Sequence, residues 1–213
     1  QTSPLPSPKK MLLQYRDLLT SRYFMSFASI GWLNFSLMIT TVSVMPFIMQ
    51  NQIGMTSDQY AMWALIPAFG MICGTSICNR VRPIIGTKKM LLVTPILHVS
   101  SAAWLFFCPV EPLYLMLGQL LMILGNAIAL PCAQAMVMQP YKKQAGAAAA
   151  MSGGGQMVVS SIISMALVQL GLSQARHLSL VIVVFAIITM TNVLRGFTTE
   201  QPSEQPSEQP SEQ

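Results

Sequence analysis

The sequence predicts an all-α, polytopic membrane protein with six transmembrane helices. Hydrophobic residues make up 53% of the 213 residues and charged residues only 9%, whereas soluble domains carry roughly 25% charged residues. The charges are clustered, which leaves six charge-free windows at 23–57, 59–79, 90–110, 112–141, 144–175 and 177–194. Each window is near or above the roughly 20 residues that a helix needs to cross a bilayer. Buried strands or core helices are the alternative, but the longest window is too long for them.

The distribution of the basic residues predicts the orientation of these helices. If the six helices alternate in direction, one side of the membrane receives Lys9, Lys10, Arg16, Arg22, Arg80, Arg82, Lys88, Lys89, Lys142, Lys143 and Arg195. The other side receives only Arg176. Because basic residues accumulate in cytoplasmic loops, both termini are predicted to be cytoplasmic. The net charge of +5 therefore follows from topology and does not indicate a nucleic-acid partner.

Three regions follow one another along the chain. Residues 1–22 form a cytoplasmic linker, in which MLLQYRDLLTSRYF has the spacing of an amphipathic helix at the membrane interface. Residues 23–195 form the transmembrane domain, with predicted spans at about 24–50, 59–79, 89–108, 113–138, 146–172 and 178–194. Residues 196–213 form a cytoplasmic tail whose EQPS repeat lacks apolar residues, which predicts disorder.

The residues that catalysis or metal binding would need are scarce. The acidic residues outside the tail are Asp17, Asp58 and Glu111, and none of them lies within a span. The four cysteines form no C-x-x-C pair and are predicted to be buried free thiols. His98 lies within the third span, where packing against a neighbouring helix is favoured over a proton relay. The sequence therefore predicts no catalytic residue, no metal site and no cofactor, which argues against an enzyme.

The spans do contain neutral polar side chains. Asn34 lies in the first span, Gln119 and Asn126 in the fourth, and Gln156 in the fifth. An amide in hydrocarbon must face either a partner helix or a water-filled cavity. Both alternatives stay open for these four residues.

Two stretches at the predicted cytoplasmic side contain glycines whose positions predict a tight turn and a smooth helix face. The second and third spans are joined by NRVRPIIGTKK, where Gly86 permits a tight turn among basic residues. The fifth span begins with AGAAAAMSGGGQ, in which Gly146, Ala150 and Gly154 recur at four-residue spacing. This spacing predicts a smooth helix face that another backbone can approach closely.

These two stretches carry a resemblance to a known family. The segment RPIIGTKK, residues 82–89, resembles the degenerate second copy of the signature loop of major facilitator superfamily transporters. The segment PCAQAMVMQPYKKQAGAAAAMSGGGQ, residues 131–156, resembles the junction of the tenth and eleventh helices in the Bcr/CflA group of bacterial drug/proton antiporters. Ala147 stands where that group has threonine. The resemblance covers about residues 8–195.

The resemblance implies that the chain is the C-terminal six-helix half of a twelve-helix transporter in a bacterial inner membrane. The implied function is proton-coupled efflux of drugs or other small molecules, by alternating access of two halves. The implied partners are the substrate, protons, the lipid bilayer and the N-terminal six-helix half. The implied substrate contacts are Trp32, Asn34, Phe35, Met38, Gln119, Asn126 and Gln156, and the residues assigned to gating are Arg80, Arg82, Gly86, Lys88, Gly146 and Gly154. The alternative is a non-transporting six-helix assembly or regulatory subunit.

Overall fold

A computed structural model of the protein describes residues 8–172 and 174–198. In this part of the chain the helices are α1 (Pro8–Thr20), α2 (Arg22–Ile53), α3 (Ser57–Trp63), α4 (Leu65–Ile85), α5 (Thr87–Phe107), α6 (Pro112–Met138), α7 (Ala145–Gln169) and α8 (Ala175–Thr198). Counting α3 with α4, six of these elements are long and apolar enough to cross a membrane. The prediction of an all-α protein with six such helices is confirmed. Helix α8 continues three residues past the predicted boundary at 195, and the rest of the predicted tail lies outside the described residues.

The starts and ends of the helices follow local rules of capping. The Ser21 hydroxyl accepts a hydrogen bond of 3.3 Å from the Phe24 amide at the start of α2. Thr56 and Gln59 form a capping box at the start of α3, in which each side chain accepts from the other residue's backbone amide. Pro112 lies at the first position of α6, where its missing amide hydrogen costs nothing.

The second predicted span is broken into α3 and α4. Helix α3 ends at Trp63, four residues before Pro67, and Ala64 separates the two helices. Proline has no amide hydrogen, so Pro67 cannot bond to the Trp63 carbonyl, and the helix is weakened there. By contrast, α2, α5 and α6 continue through Pro46, Pro95 and Pro131.

Helices α2 and α6 form the centre of the bundle. Helix α2 packs against α6, α7 and α8, helix α6 also packs against α4 and α5, and α5 packs against α8. The α4–α6 contact is close because its residues are small: a Cβ atom added at Gly74 would lie 2.7 Å from the Ala127 Cβ. One turn further along α4, the Sγ atoms of Cys78 and Cys132 are 3.5 Å apart, and both side chains are fully buried.

The two ends of the bundle differ in charge. We call the end where α2 begins and α8 finishes the basic end; there the Phe27 ring packs against Gly196, and the Lys88 Nζ lies 5.9 Å from the centre of the Phe197 ring. The opposite, or far, end carries Arg176, whose guanidinium lies 5.9 Å from the centre of the Phe106 ring. Every other lysine and arginine side chain that the structure describes belongs to the basic end.

The junction between α1 and α2 contacts the turn between α6 and α7 through a hydrogen bond and a pair of aromatic rings. This turn, Gln139–Gln144, is a short 3-10 helix. Within it, the Tyr141 hydroxyl lies 2.7 Å from the Ser21 hydroxyl, and its ring meets the Phe24 ring edge-on with centroids 5.7 Å apart. Two segments that are 120 residues apart in sequence thus meet at the basic end.

Candidate functional site

Helices α2 and α7 are joined by hydrogen bonds at the start of the glycine-rich segment. The Trp32 indole N–H donates a bond of 2.8 Å to the Ser152 carbonyl, and the Ser152 hydroxyl donates one of 2.8 Å to the Gln134 side-chain oxygen on α6. The Trp32 ring also lies directly against Gly155, where any side chain would overlap it. Gly155 in the glycine-rich segment therefore provides the space that the indole occupies.

A second group of polar contacts joins α2 and α7 about two turns further along. The Thr40 Oγ1 lies 2.8 Å from the Ser36 carbonyl and 3.0 Å from the Ser164 Oγ. The Ser164 hydroxyl donates a bond of 3.2 Å to the same Ser36 carbonyl. All three side chains are buried, and their polar atoms have partners. These hydroxyls therefore hold two helices together.

The interior of the bundle contains large polar side chains whose hydrogen-bonding capacity is only partly used. The Asn34 amide donates to the Ile30 carbonyl at 2.7 Å and to the Thr189 hydroxyl on α8 at 3.4 Å, and the Asn126 amide donates to the Met122 sulfur at 2.9 Å. Buried oxygens without a hydrogen-bond partner include Asn34 Oδ1 and Gln119 Oε1. Because an unsatisfied buried polar atom is costly, the remaining acceptor capacity of these oxygens is a notable feature of the bundle interior.

His98 packs between α5 and α6, as predicted from its position in the third span. Its ring lies against Gly125, where an added Cβ would come within 2.7 Å of Nε2, and beside the Asn126 side chain. Neighbouring hydroxyls on α5 bond to α6 backbone: Thr94 to the Gly125 carbonyl at 3.4 Å and Ser101 to the Gly118 carbonyl at 2.7 Å. The α5–α6 interface therefore contains three polar side chains within about two turns of α5.

The structure separates the predicted substrate contacts into two groups. Trp32, Asn34, Gln119 and Asn126 are buried in the bundle, with exposed fractions of 9%, 1%, 2% and 0%. Phe35, Met38 and Gln156 are half-buried. The α2 members are distributed among different neighbours, because Trp32 contacts α7 while Asn34 contacts α8. The role of these seven residues as substrate contacts stays a prediction.

The predicted gating loop is a sharp connection between α4 and α5. Gly86 has φ 87° and ψ 151°, and its amide donates a bond of 2.9 Å to the Arg82 carbonyl. This region of backbone conformation is almost restricted to glycine. Arg80 is exposed, whereas Arg82 and Lys88 are half-buried. The loop geometry therefore depends on Gly86, while the cations remain at the surface of the basic end.

The predicted smooth face of α7 is open. Gly146 and Gly154 are exposed, and none of the described residues beyond their own helix turns lies within 4 Å of a Cβ built at either position. The most apolar stretches of α4 and α7 have only 22% and 17% of their residues buried, compared with 61% in α6. Exposed apolar side chains on these helices include Leu65, Phe69, Ile72, Met157, Ile162 and Met165. Helices α4 and α7 thus present apolar faces that the described part of the chain leaves uncovered.

Sequence reasoning missed several of these pairings. It did not pair Trp32 with Gly155, His98 with Gly125, or Cys78 with Cys132. The spacing of Gly118 and Gly125, one heptad apart on α6, was the signal for a close contact with α5. Among the described residues, no group of three or more His, Cys, Asp or Glu side chains comes together to hold a metal ion.

Comparisons with known proteins identify relatives of the chain. A family model described as Major Facilitator Superfamily matches residues 10–213. The chain is also 21% identical, over 196 residues, to the multidrug resistance protein MdtL of Klebsiella pneumoniae subsp. pneumoniae. That match covers 91% of this chain and 50% of the relative, so the chain spans about half the length of the curated protein that it matches. No solved structure gives a significant match.

Proposed function

The chain belongs to the Major Facilitator Superfamily, and from this premise we propose that it is part of a secondary active transporter that exports drugs or other small molecules. The observation that carries the proposal is the six-helix bundle of a chain whose relative is named a multidrug resistance protein. Alternating access of two six-helix halves around a central site is the mechanism that such bundles serve.

We propose that the partner of this bundle is an N-terminal six-helix half of the same transporter. Two observations support this partner: the chain spans half of its relative, and α4 and α7 leave apolar faces uncovered. The small residues of the α7 face, Gly146, Ala150 and Gly154, are suited to close packing against another helix. The substrate path would then lie between α7 and the N-terminal half.

The exposure of the predicted substrate contacts suggests the order in which a substrate meets them. Gln156, Phe35 and Met38 are half-buried and accessible to a substrate without rearrangement of the bundle. Asn34, Gln119 and Asn126 are reached only when neighbouring helices separate, and the unpartnered oxygens of Asn34 and Gln119 give these two residues unused hydrogen-bonding capacity. We propose that the half-buried residues contact the substrate first and that the buried amides respond to helix movement.

Proton coupling is proposed to depend on the other half. The spans predicted from the sequence contain no aspartate or glutamate, and Asp58 lies in the first turn of α3, whereas intramembrane carboxylates are the groups that proton-coupled carriers commonly use. We also propose that the basic end of the bundle and both termini are cytoplasmic, in a bacterial inner membrane. The distribution of eleven basic residues on one side and one on the other supports this orientation.

Transport can be tested with the full-length protein that carries this chain. Expressed in a bacterial strain that lacks its main efflux pumps, it should lower the accumulation of a fluorescent lipophilic cation. Addition of a protonophore should restore accumulation if protons drive export. A properly inserted protein that changes the accumulation of none of a panel of drugs would favour the alternative, a non-transporting membrane subunit.

A further inference from the structure

Two buried thiols from different helices meet where α4 packs against α6. Cys78 on α4 and Cys132 on α6 are free cysteines, their side chains are fully buried, and their Sγ atoms are 3.5 Å apart. They belong to the hydrophobic cluster that also contains Leu91 and Ile128. Cys73, five residues before Cys78, lies about 140° away around the axis of α4 and is only half-buried. Cys78 and Cys132 are therefore the thiols that can act together on one ligand.

The distance between the two sulfurs decides which central atom they can share. With bonds of about 2.3 Å, as in zinc thiolates, two sulfurs 3.5 Å apart subtend an angle of about 100° at the atom between them. A linear two-coordinate ion such as Cu(I), with bonds of the same length, would require about 4.6 Å between the sulfurs, so α4 and α6 would have to move apart by about 1 Å. A pyramidal, three-coordinate centre has the bent geometry that the pair already provides.

Ligand number and charge argue against a simple metal cation. A structural zinc ion takes four ligands, and no three His, Cys, Asp or Glu side chains come together in the part of the chain that the structure describes. Metal ions bind cysteine as the thiolate, and an isolated charge is costly in apolar surroundings. An uncharged ligand that bonds to both thiols without creating a charge is therefore favoured.

The thiol pair lies close to the aqueous side of the basic end. Cys78 is about 10 Å along α4 from its last residue, Ile85, and Cys132 is about 9 Å along α6 from its last residue, Met138. Arg82, which is half-buried, follows Cys78 by one turn of α4. A small uncharged molecule therefore has to pass about two helical turns to reach the sulfurs.

From these observations we propose that Cys78 and Cys132 form a chelating site for a small organic arsenic(III) compound, such as an alkyl- or arylarsine oxide. Two S–H bonds break and two As–S bonds form, while the oxygen of the reagent leaves with both hydrogens as one water molecule. Arsenic stays trivalent and uncharged, so the step needs no oxidant. The second As–S bond forms within the molecule, which makes the pair bind far more tightly than one thiol. The product links α4 to α6, and the inference is independent of transport.

Retention of arsenic by the full-length protein tests the site. Membranes are treated with phenylarsine oxide, or with the smaller methylarsine oxide, and washed with mercaptoethanol to remove arsenic held by one thiol; elemental mass spectrometry then counts arsenic in the purified protein. The wild type should retain one arsenic atom more than Cys78→Ala and Cys132→Ala. The reagent concentration for half-maximal retention at this site should rise at least about 100-fold in both variants. Cys73→Ala and Cys108→Ala are matched controls and should behave like the wild type.

Two further measurements use the wild type alone. X-ray absorption at the arsenic edge should show two sulfur neighbours for each retained arsenic atom, and zinc chloride at equal concentration should not prevent retention. The proposal is overturned if the wild type retains no more arsenic than the Cys78 and Cys132 variants, if the control variants lose as much, or if arsenic has a single sulfur neighbour. Exclusion of arsenic by zinc would also overturn it, by assigning the pair to a metal cation. Circular dichroism of each variant confirms that the helices are retained.

Discussion

Gly155 on α7 lies against the Trp32 ring on α2, and an added Cβ would be 2.6 Å from the indole Cε2. Gly153, two residues earlier on the same helix, is exposed, and a Cβ there would meet nothing within 4 Å. The two glycines therefore have different roles within one GGG run. Gly155 allows the α2–α7 contact, whereas Gly153 has no packing function in this half.

Gly155→Ala should destabilise the bundle by about 1–3 kcal/mol, because the added methyl group must displace a buried indole. Gly153→Ala is the matched control and should be neutral or slightly stabilising, since alanine favours a helix over glycine by up to about 1 kcal/mol. Unfolding of both variants in mixed micelles with increasing dodecyl sulfate measures the difference. Trp32→Phe in the Gly155→Ala background should restore part of the loss; equal stability of the two alanine variants would contradict the contact.

Cys78 and Cys132 should form a disulfide on mild oxidation, without engineered cysteines. Their Sγ atoms are 3.5 Å apart, and a shift of about 1.5 Å brings them to bonding distance. Copper phenanthroline, with oxygen as the electron acceptor, removes one hydrogen from each thiol. Peptide mapping by mass spectrometry should then show residues 78 and 132 linked, with Cys73 and Cys108 still available to alkylation. Cys132→Ala should abolish the link, and persistence of both thiols would show that α4 and α6 are not packed as described.

Gly86 should tolerate no other residue well, including asparagine. Its φ of 87° and ψ of 151° lie in a region that costs other residues about 1–3 kcal/mol. Gly54 is the control, because its φ of 78° and ψ of 24° lie in the left-handed region that asparagine can adopt. Gly86→Asn and Gly86→Val should reduce drug export at unchanged membrane abundance, whereas Gly54→Asn should not. Export is measured as dye accumulation and abundance by immunoblot; full export by Gly86→Val would argue against a gating role for this loop.

Gln156→Cys should react with a water-soluble thiol reagent at least tenfold faster than Asn126→Cys. Gln156 is half-buried on α7, whereas Asn126 is fully buried beside His98, and a membrane-impermeant reagent reaches only thiols that contact water. Labelling in the presence and absence of a transported drug measures both rates. Protection of Gln156→Cys in every condition would remove it from the substrate path, and equal rates would show that the α5–α6 interface opens during the cycle.

The number and type of the helices could be predicted because charged residues are excluded from the hydrocarbon core of the bilayer and so bound each span. Arg22, Asp58, Glu111 and Arg176 each lie beside a charge-free stretch, and such a stretch leaves only a helix to satisfy the backbone. The sequence does not distinguish Pro67, which follows the break at Ala64, from Pro46, Pro95 and Pro131, through which the helices continue. Whether a proline ends a helix depends on packing that one sequence does not encode locally.

The candidate site was less predictable than the fold. Periodicity shows which face of a helix a residue occupies, but not which residue of the neighbouring helix it contacts, because that depends on the register of the two helices. His98 and Gly125 meet only because α5 and α6 have one particular register, and the same faces would be compatible with others. The resemblance implies a substrate contact for Asn34, which stays a prediction, and nothing in the sequence pairs Asn34 with Thr189 on α8, to which its amide donates.

The Ser21–Tyr141 contact has a mechanical consequence. The chain enters the bundle through α1, which packs against α7 and buries Leu18 in the core. Directly after α1, a hydroxyl pair and an edge-on ring contact join the α1–α2 junction to the α6–α7 turn. A displacement of α1 is therefore transmitted to that turn as well as to α2. Helix α1 thus acts as a lever arm on the basic end of the bundle.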